Sequence, residues 1–280
     1  NGENRNFITT KIEISQFDAK TENGSIKGDF TIKNLTKYYL TANLSSSWDL
    51  AEINHYFEDS PFFDLTGQLS AITNYNGNLS FDKKFKDYFI NALHNSETNF
   101  LNVNFKYLNS PLIFNIYSAN CSFNNDIINI HNSRLNVSES DFIFTGELES
   151  FIPYILQKTD KMYVRGDLIS SKILFNELMT IKDISEEEPT SGLPKWISID
   201  INSYVTNFTY NNFKASNLSG KIQYNNQVLK GVDLAANSLE GHLHGGFVLT
   251  EPTNNYLVLK ATLEFDEINI RKSFESFQNF

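Results

Sequence analysis

Between Trp196 and Phe265 apolar and polar residues alternate for most of the stretch. Ile197, Ile199 and Ile201 fall on one side of an extended chain, and Ser198, Asp200 and Asn202 on the other. Leu239, Gly241, Leu243, Gly245, Phe247 and Leu249 repeat the pattern, with Glu240, His242, His244 and Thr250 opposite. Leu257, Leu259, Ala261, Leu263 and Phe265 do so again, against Tyr256, Lys260, Thr262 and Glu264. Successive strand side chains point to opposite faces, so the pattern predicts strands with one apolar and one wet face. Antiparallel sheets tolerate that division, whereas buried parallel strands read as continuous apolar runs.

The same alternation predicts strands near Ile8–Ile14, Ser25–Lys33 and Tyr38–Ser46, with Asn23-Gly24 as a turn. Phe62–Leu79 reads as two strands, with Asn74–Asn78 as turn material. Further strands are expected at Asn99–Lys106, Leu112–Ser122, Ile127–Ile130, Ser133–Val137, Phe142–Leu148 and Tyr163–Ser170. Their short, Asn-, Asp- and Ser-rich connections imply sequential antiparallel neighbours. Helical spacing predicts short helices over 49–57, 82–93, 151–156, 173–179 and 270–277, the first capped by Ser47 or Asp49. Leu44–Ile53 aligns without gaps on Ile169–Leu178, each running from strand to helix, and Glu264–Phe274 echoes them loosely. An irregular strand-group-plus-helix repeat implies an elongated sheet rather than a closed globule. One acidic stretch, Asp183–Gly192, breaks the pattern and predicts a mobile surface loop. The expected layout is therefore a β segment over 1–182, a flexible loop over 183–193, and a second β segment over 194–280 that continues the same sheet.

Composition narrows the chemistry. Apolar residues make up 40% and charged residues 20%, so the chain has the material to fold. A formal net charge of −10 opposes nucleic acid and anionic membrane surfaces as partners. Cys121 is the only cysteine, which excludes an internal disulfide and suits a buried apolar position. No apolar run reaches the roughly 18 residues of a transmembrane helix. Asn-x-Ser/Thr triplets, such as those at Asn43 and Asn136, arise readily in a chain this rich in asparagine. His242, His244 and Glu240 alternate as metal ligands on one strand face could, but lack the partner clusters of a zinc site. There is no nucleophile elbow, phosphate loop or dinucleotide fingerprint. The expectation is a non-enzymatic protein with no cofactor and no metal.

Three stretches carry a family likeness. Ser140-Asp141-Phe142 leads through Gly146 to the helix at Phe151–Leu156, and Arg165-Gly166-Asp167-Leu168 precedes the helix at Leu174–Met179. The C-terminal run joins Leu193-Pro194-Lys195-Trp196, Phe213–Lys221 and the Gly245-Gly246 strand to Asp266–Phe274. Together they resemble the AsmA-like family of the AsmA and TamB superfamily of bacterial envelope proteins. The resemblance implies long twisted β-sheets rolled into an open groove with an apolar lining. It also implies a periplasmic place, an inner-membrane anchor, and a part in phospholipid transport and outer-membrane homeostasis, with envelope proteins as partners. The family's N-terminal anchor is missing here, so a fragment of a longer chain is expected.

The candidate site is the apolar strand face itself. Periodicity alone is satisfied equally by a sandwich core; the resemblance and the irregular repeat favour an open groove. The candidate groove residues are Phe142, Phe144, Ile197, Ile199, Ile201, Leu243, Phe247, Leu249, Leu257, Leu259 and Leu263, with Gly241 and Gly245 leaving room between them. Acyl chains of phospholipid are the expected occupants. The alternative function is a structural or interaction scaffold of the envelope that binds no lipid. A polysaccharide binder is a third, weakened by the presence of only Trp48 and Trp196 as candidate platforms.

Overall fold

The fold is taken from a computed structural model, which describes residues 6–55, 62–80, 85–107, 110–155, 158–178, 195–253 and 256–277. Fourteen strands form one sheet in strict chain order, and the sheet does not close on itself. They are β1 (Lys11–Lys20), β2 (Ser25–Lys33), β3 (Tyr39–Asp49), β4 (Phe62–Asn78), β5 (Leu93–Tyr107), β6 (Ile113–Asn124) and β7 (Ile127–Val137). The order continues through β8 (Ser140–Glu149), β9 (Met162–Leu174), β10 (Ile197–Tyr210), β11 (Phe213–Asn225), β12 (Val228–Ser238), β13 (Gly241–Thr253) and β14 (Tyr256–Asp266). Short helices sit at the strand ends: α1 (Leu50–His55), α2 (Phe85–Asn91), α3 (Phe151–Ile155), α4 (Phe175–Leu178) and α5 (Ile270–Phe277).

Neighbouring strands are antiparallel, as short polar connections dictate, with one exception among the described strands. β9 and β10 run parallel, from Met162 opposite Ile197 to Leu174 opposite Thr209. A parallel neighbour needs a crossover long enough to return the chain to its starting end. Residues 175–196 supply it, and they hold both α4 and the acidic stretch. The acidic loop itself lies outside the described residues. The pairing across this junction makes the two β segments one continuous sheet.

Large apolar side chains do not build a sandwich core here. Among the described residues, the side chains less than 2% exposed are Ser140 and Ser170. The tightest apolar cluster gathers Ala119, Cys121 and Ile128 against Phe100, Ile116, Phe123, Leu148 and Phe151. These come from adjacent strands of the same sheet and from α3. The burial is therefore lateral, between neighbours on one face, as in repeat architectures where each unit contacts only the next.

The repeat noted in the sequence marks real boundaries. In the aligned echo Asp49 corresponds to Leu174, the last residues of β3 and β9, and Leu50 to Phe175, the first of α1 and α4. Asp49 is the N-cap: its Oδ1 accepts the Ala51 N–H at 2.8 Å. Glu52 then accepts the Asn23 N–H at 3.0 Å and ties α1 to the β1–β2 turn.

Several expectations need correction. Phe62–Asn78 is one strand, with no turn at Asn74–Asn78; Asn74 lies between Asn43 and Asn95 in the ladder. Turn-forming asparagines persist in the strand because their amides pair across it, as Asn74 Nδ2 does with Asn95 Oδ1 at 2.9 Å. The helix predicted to reach residue 93 ends at Asn91, and Leu93 begins β5. The helix predicted from 173 begins at Phe175, because Ile173 and Leu174 still pair with β10. The separate strands 127–130 and 133–137 are one strand, broken only by a bulge between Ile130 and Ser133. Similar register shifts fall in β1, β4, β6 and β12. Bulges bend the strand and increase local twist, which curves a sheet this long.

An apolar trough across the sheet

Directly paired residues share a face, so the registers trace each face across the sheet. One unbroken row starts Phe17–Gly28–Leu44–Thr73–Ser96–Phe123–Ile128. It continues Leu148–Val164–Ile199–Tyr224–Leu229–Leu249–Leu259. It therefore crosses every strand, and from β6 to β14 every member is apolar or aromatic. A second row runs Gly146–Gly166–Ile201–Ile222–Gly231–Phe247–Ala261. Neither row contains Lys, Arg, Asp or Glu. At about 4.8 Å between strands, the fourteen-strand row is about 62 Å long.

All the candidate groove residues fall on this face. Ile199, Leu249 and Leu259 lie in the first row, and Ile201 and Phe247 in the second. Ile197 faces Met162, Phe142 faces Leu135, Phe144 faces Leu168, Leu243 faces Phe265 and Leu263 faces Gly245. Leu257 precedes Leu259 by two positions on the same strand face. Exposure varies along the trough. Phe144 is buried, whereas Leu257, Leu259 and Leu263 on the edge strand are 49%, 63% and 39% exposed.

Gly241 and Gly245 lie on the trough face but do not leave the expected room in it. A Cβ at Gly245 would lie 2.1 Å from the Thr262 carbonyl oxygen, and one at Gly241 2.2 Å from that of Asp266. Gly245 also has φ +147°, a backbone that side chains rarely adopt. These glycines admit the neighbouring backbone rather than leave room in the trough.

The N-terminal half of the face contributes residues that the sequence reading passed over. Phe105 stacks on Phe114 at 5.0 Å and meets Phe62 edge-on at 5.3 Å. Phe17 meets Phe30 at 5.6 Å. Phe144 heads a row through Ser133, Ala119, Phe100 and Leu69 to Trp48. The same period-two alternation would have found them, since it persists through β3, β4 and β5. Helices stand at the rims. Phe151 of α3 joins the apolar cluster, Tyr154 stacks on Trp196 at 5.8 Å, and Phe175 of α4 packs against Phe208 at 5.7 Å.

Ionisable groups near the trough are held neutral. His94 faces Tyr75, and burial lowers its pKa, against a smaller opposing pull from Asp126. Burial raises the Cys121 thiol to about 11, far above the range of a reactive thiol.

The opposite face is largely polar, although Ile72, Ile169 and Tyr204 lie exposed on it. Asn43, Asn74, Asn95 and Asn124 form one row. Glu147, Arg165, Asp200, Gln223 and Lys230 form another. A cavity of about 530 Å³ opens here, lined by Arg165, Asp200, Gln223 and Lys230. Two of its charges are matched, Asp200 by Lys221 at 2.8 Å and Arg165 by Glu147 at 3.4 Å. We therefore assign the cavity to the ion-paired outer surface, not to the site. His242 Nδ1 meets Asn237 Oδ1 at 2.8 Å, while Glu240 is engaged by Lys272 and by Asn269 Nδ2. Among the described residues no three metal-ligating side chains converge. No helix among them is long and apolar enough to cross a membrane.

The rim also explains the Ser140-Asp141 motif. Asp141 accepts the backbone N–H groups of Ser171 at 3.0 Å and Lys172 at 2.7 Å, and the Ser171 hydroxyl at 2.8 Å. Ser140 Oγ accepts the Leu174 N–H at 2.9 Å. These bonds replace ladder pairing where the β8–β9 register ends, at Ile143 opposite Ile169. Burial works against the Asp141 charge, but the bonds from Ser171 and Lys172 together outweigh it and hold the carboxyl below its usual range.

Compared with protein-family models, curated proteins and solved structures, the chain matches none of them.

Proposed function

We propose that this chain is a non-enzymatic lipid-handling protein whose trough holds phospholipid acyl chains. The observation that carries the reading is an uncharged row that crosses an open sheet and is apolar or aromatic throughout from β6 to β14, with no second sheet over it among the described residues. Such a face gains about 0.8 kcal/mol for each methylene it takes from water. The wholly apolar stretch from β6 to β14 spans about 38 Å, a little more than the hydrocarbon thickness of a bilayer, so it takes acyl chains at full length. The uncharged floor offers nothing to a head group, which stays in water, and selectivity among head groups is accordingly weak. The resemblance to AsmA-like proteins adds the setting: the periplasm, anchorage to the inner membrane, a part in outer-membrane phospholipid transport, and envelope proteins as partners.

The test is photo-crosslinking in bacterial cells, with the reactive group placed at Ile199 or Leu259 in the trough and at Asn74 on the polar face. Phospholipid adducts at the first two positions and not at Asn74 are expected, with lipid retained through purification. Phe247→Asp should abolish retention while the protein stays folded. Equal labelling of both faces, or a folded wild type that carries no lipid and forms no adduct, would overturn the reading and leave the envelope scaffold in its place.

A further inference from the structure

The two edges of the sheet are built differently. β1 has a bulge between Ile14 and Phe17, with Gln16 at φ 59°, and lysines at both ends, Lys11 and Lys20. A bulge discourages pairing with another chain, and so do edge lysines that no carboxylate faces. β14 keeps one register with β13 from Asp266 to Val258, the shift in this pair lying beyond it between Thr250 and Thr253 of β13, and it contains no proline or glycine. The helix that follows turns back across the sheet. Asn269 N–H donates to the Leu239 carbonyl, and Lys272 reaches Glu240. Among the described residues, α5 thus leaves the outer edge of β14 uncovered.

The polar face of β14 reads Lys260, Thr262, Glu264, which is self-complementary in charge about Thr262. We propose that β14 docks antiparallel on β14 of a second copy of this chain, around a two-fold axis through Thr262. In that register Lys260 faces Glu264 of the second copy, and Glu264 faces its Lys260. On the apolar face Leu259 meets Phe265, and Ala261 meets Leu263. Shifting the axis to residue 261 loses both charge pairs; shifting it to 263 sets Lys260 against Asp266, the last residue of β14, and leaves Glu264 facing Thr262, so Glu264→Lys separates that register from this one. Shifts to 260 or 264 set like charges together, and a slip by one residue puts apolar faces against polar ones. The paired copies form one twenty-eight-strand sheet whose apolar face stays on one side, so the trough runs on for about 130 Å. The pairing rests on edge chemistry and does not depend on what fills the trough.

Sedimentation equilibrium of the 280-residue chain tests the proposal. Wild type should dimerise with concentration. Lys260→Glu or Glu264→Lys, each of which makes two like-charge pairs, should raise the dissociation constant about tenfold or more. The double swap, Lys260→Glu with Glu264→Lys, should restore the dimer. Thr262→Cys should form a disulfide dimer on oxidation, because the two side chains face each other on the axis. Circular dichroism confirms that each variant is folded. A wild type that stays monomeric, a dimer indifferent to the single swaps, or a double swap as weak as the singles overturns the proposal. Lipid retention by monomeric Lys260→Glu, measured in parallel, separates failure of this pairing from failure of the lipid reading.

Discussion

Removing the Ser140–Asp141 clamp should loosen one rim of the sheet in a way that can be sized from the structure. Asp141→Ala leaves the Ser171 and Lys172 N–H groups without their acceptor. Bonds to a charged acceptor contribute about 1.5–3 kcal/mol each, but water reaches these donors, so the expected loss is about 2 kcal/mol rather than their sum. Ser140 has no exposed surface, so Ser140→Ala strands the Leu174 N–H away from water and costs about 1–3 kcal/mol. The Asp141 carboxyl titrates below its unfolded-state value of about 3.9. Its stabilisation is therefore complete above that value and disappears as pH falls through the lower, folded one. Asp141→Asn should accordingly differ most from wild type at neutral pH, and the gap should close below about pH 4. Hydrogen exchange at Ser171–Leu174, compared with the remote strand β3, is the assay, because nearest-neighbour contacts confine the loss to nearby strands. Unchanged protection at 171–174 in both alanine variants, or a gap that persists undiminished at acid pH, would refute the account.

Other outcomes follow from the same geometry. Leu259→Glu, on a side chain 63% exposed, should cost under about 1 kcal/mol by urea denaturation, whereas Val205→Asp, at 2% exposure, should cost several; equal costs would mean that the face is closed. With its thiol raised to about 11, Cys121 should resist thiol reagents at pH 8 until urea unfolds the chain; fast labelling of the native protein would contradict its burial. Gly245→Ala must either move the Thr262 carbonyl or abandon a φ of +147°, and should cost about 2 kcal/mol or more. The loss should register as lost exchange protection in β14.

Alternation at Ile197–Ile201, Leu243–Leu249 and Leu257–Leu263 was enough to name strands and faces, because strand periodicity is a local property of the backbone. The echo of Leu44–Ile53 in Ile169–Leu178 likewise marked two strand-to-helix junctions, although pairing with β10 carried the second strand two residues further than its helical spacing implied. Pairing is not local. That Thr209 would lie beside Leu174 in a parallel ladder, that Asn74 would extend a strand instead of turning it, and that Gly245 would serve the backbone of Thr262 all depend on the neighbouring strand. The single open sheet was likewise undecided in the alternation, which a sandwich would satisfy as well. The tertiary structure decided it by stacking each strand on the one before and laying no second sheet over the apolar face among the described residues. The faces were written in the sequence; whether anything covered them was settled only by which strands found each other.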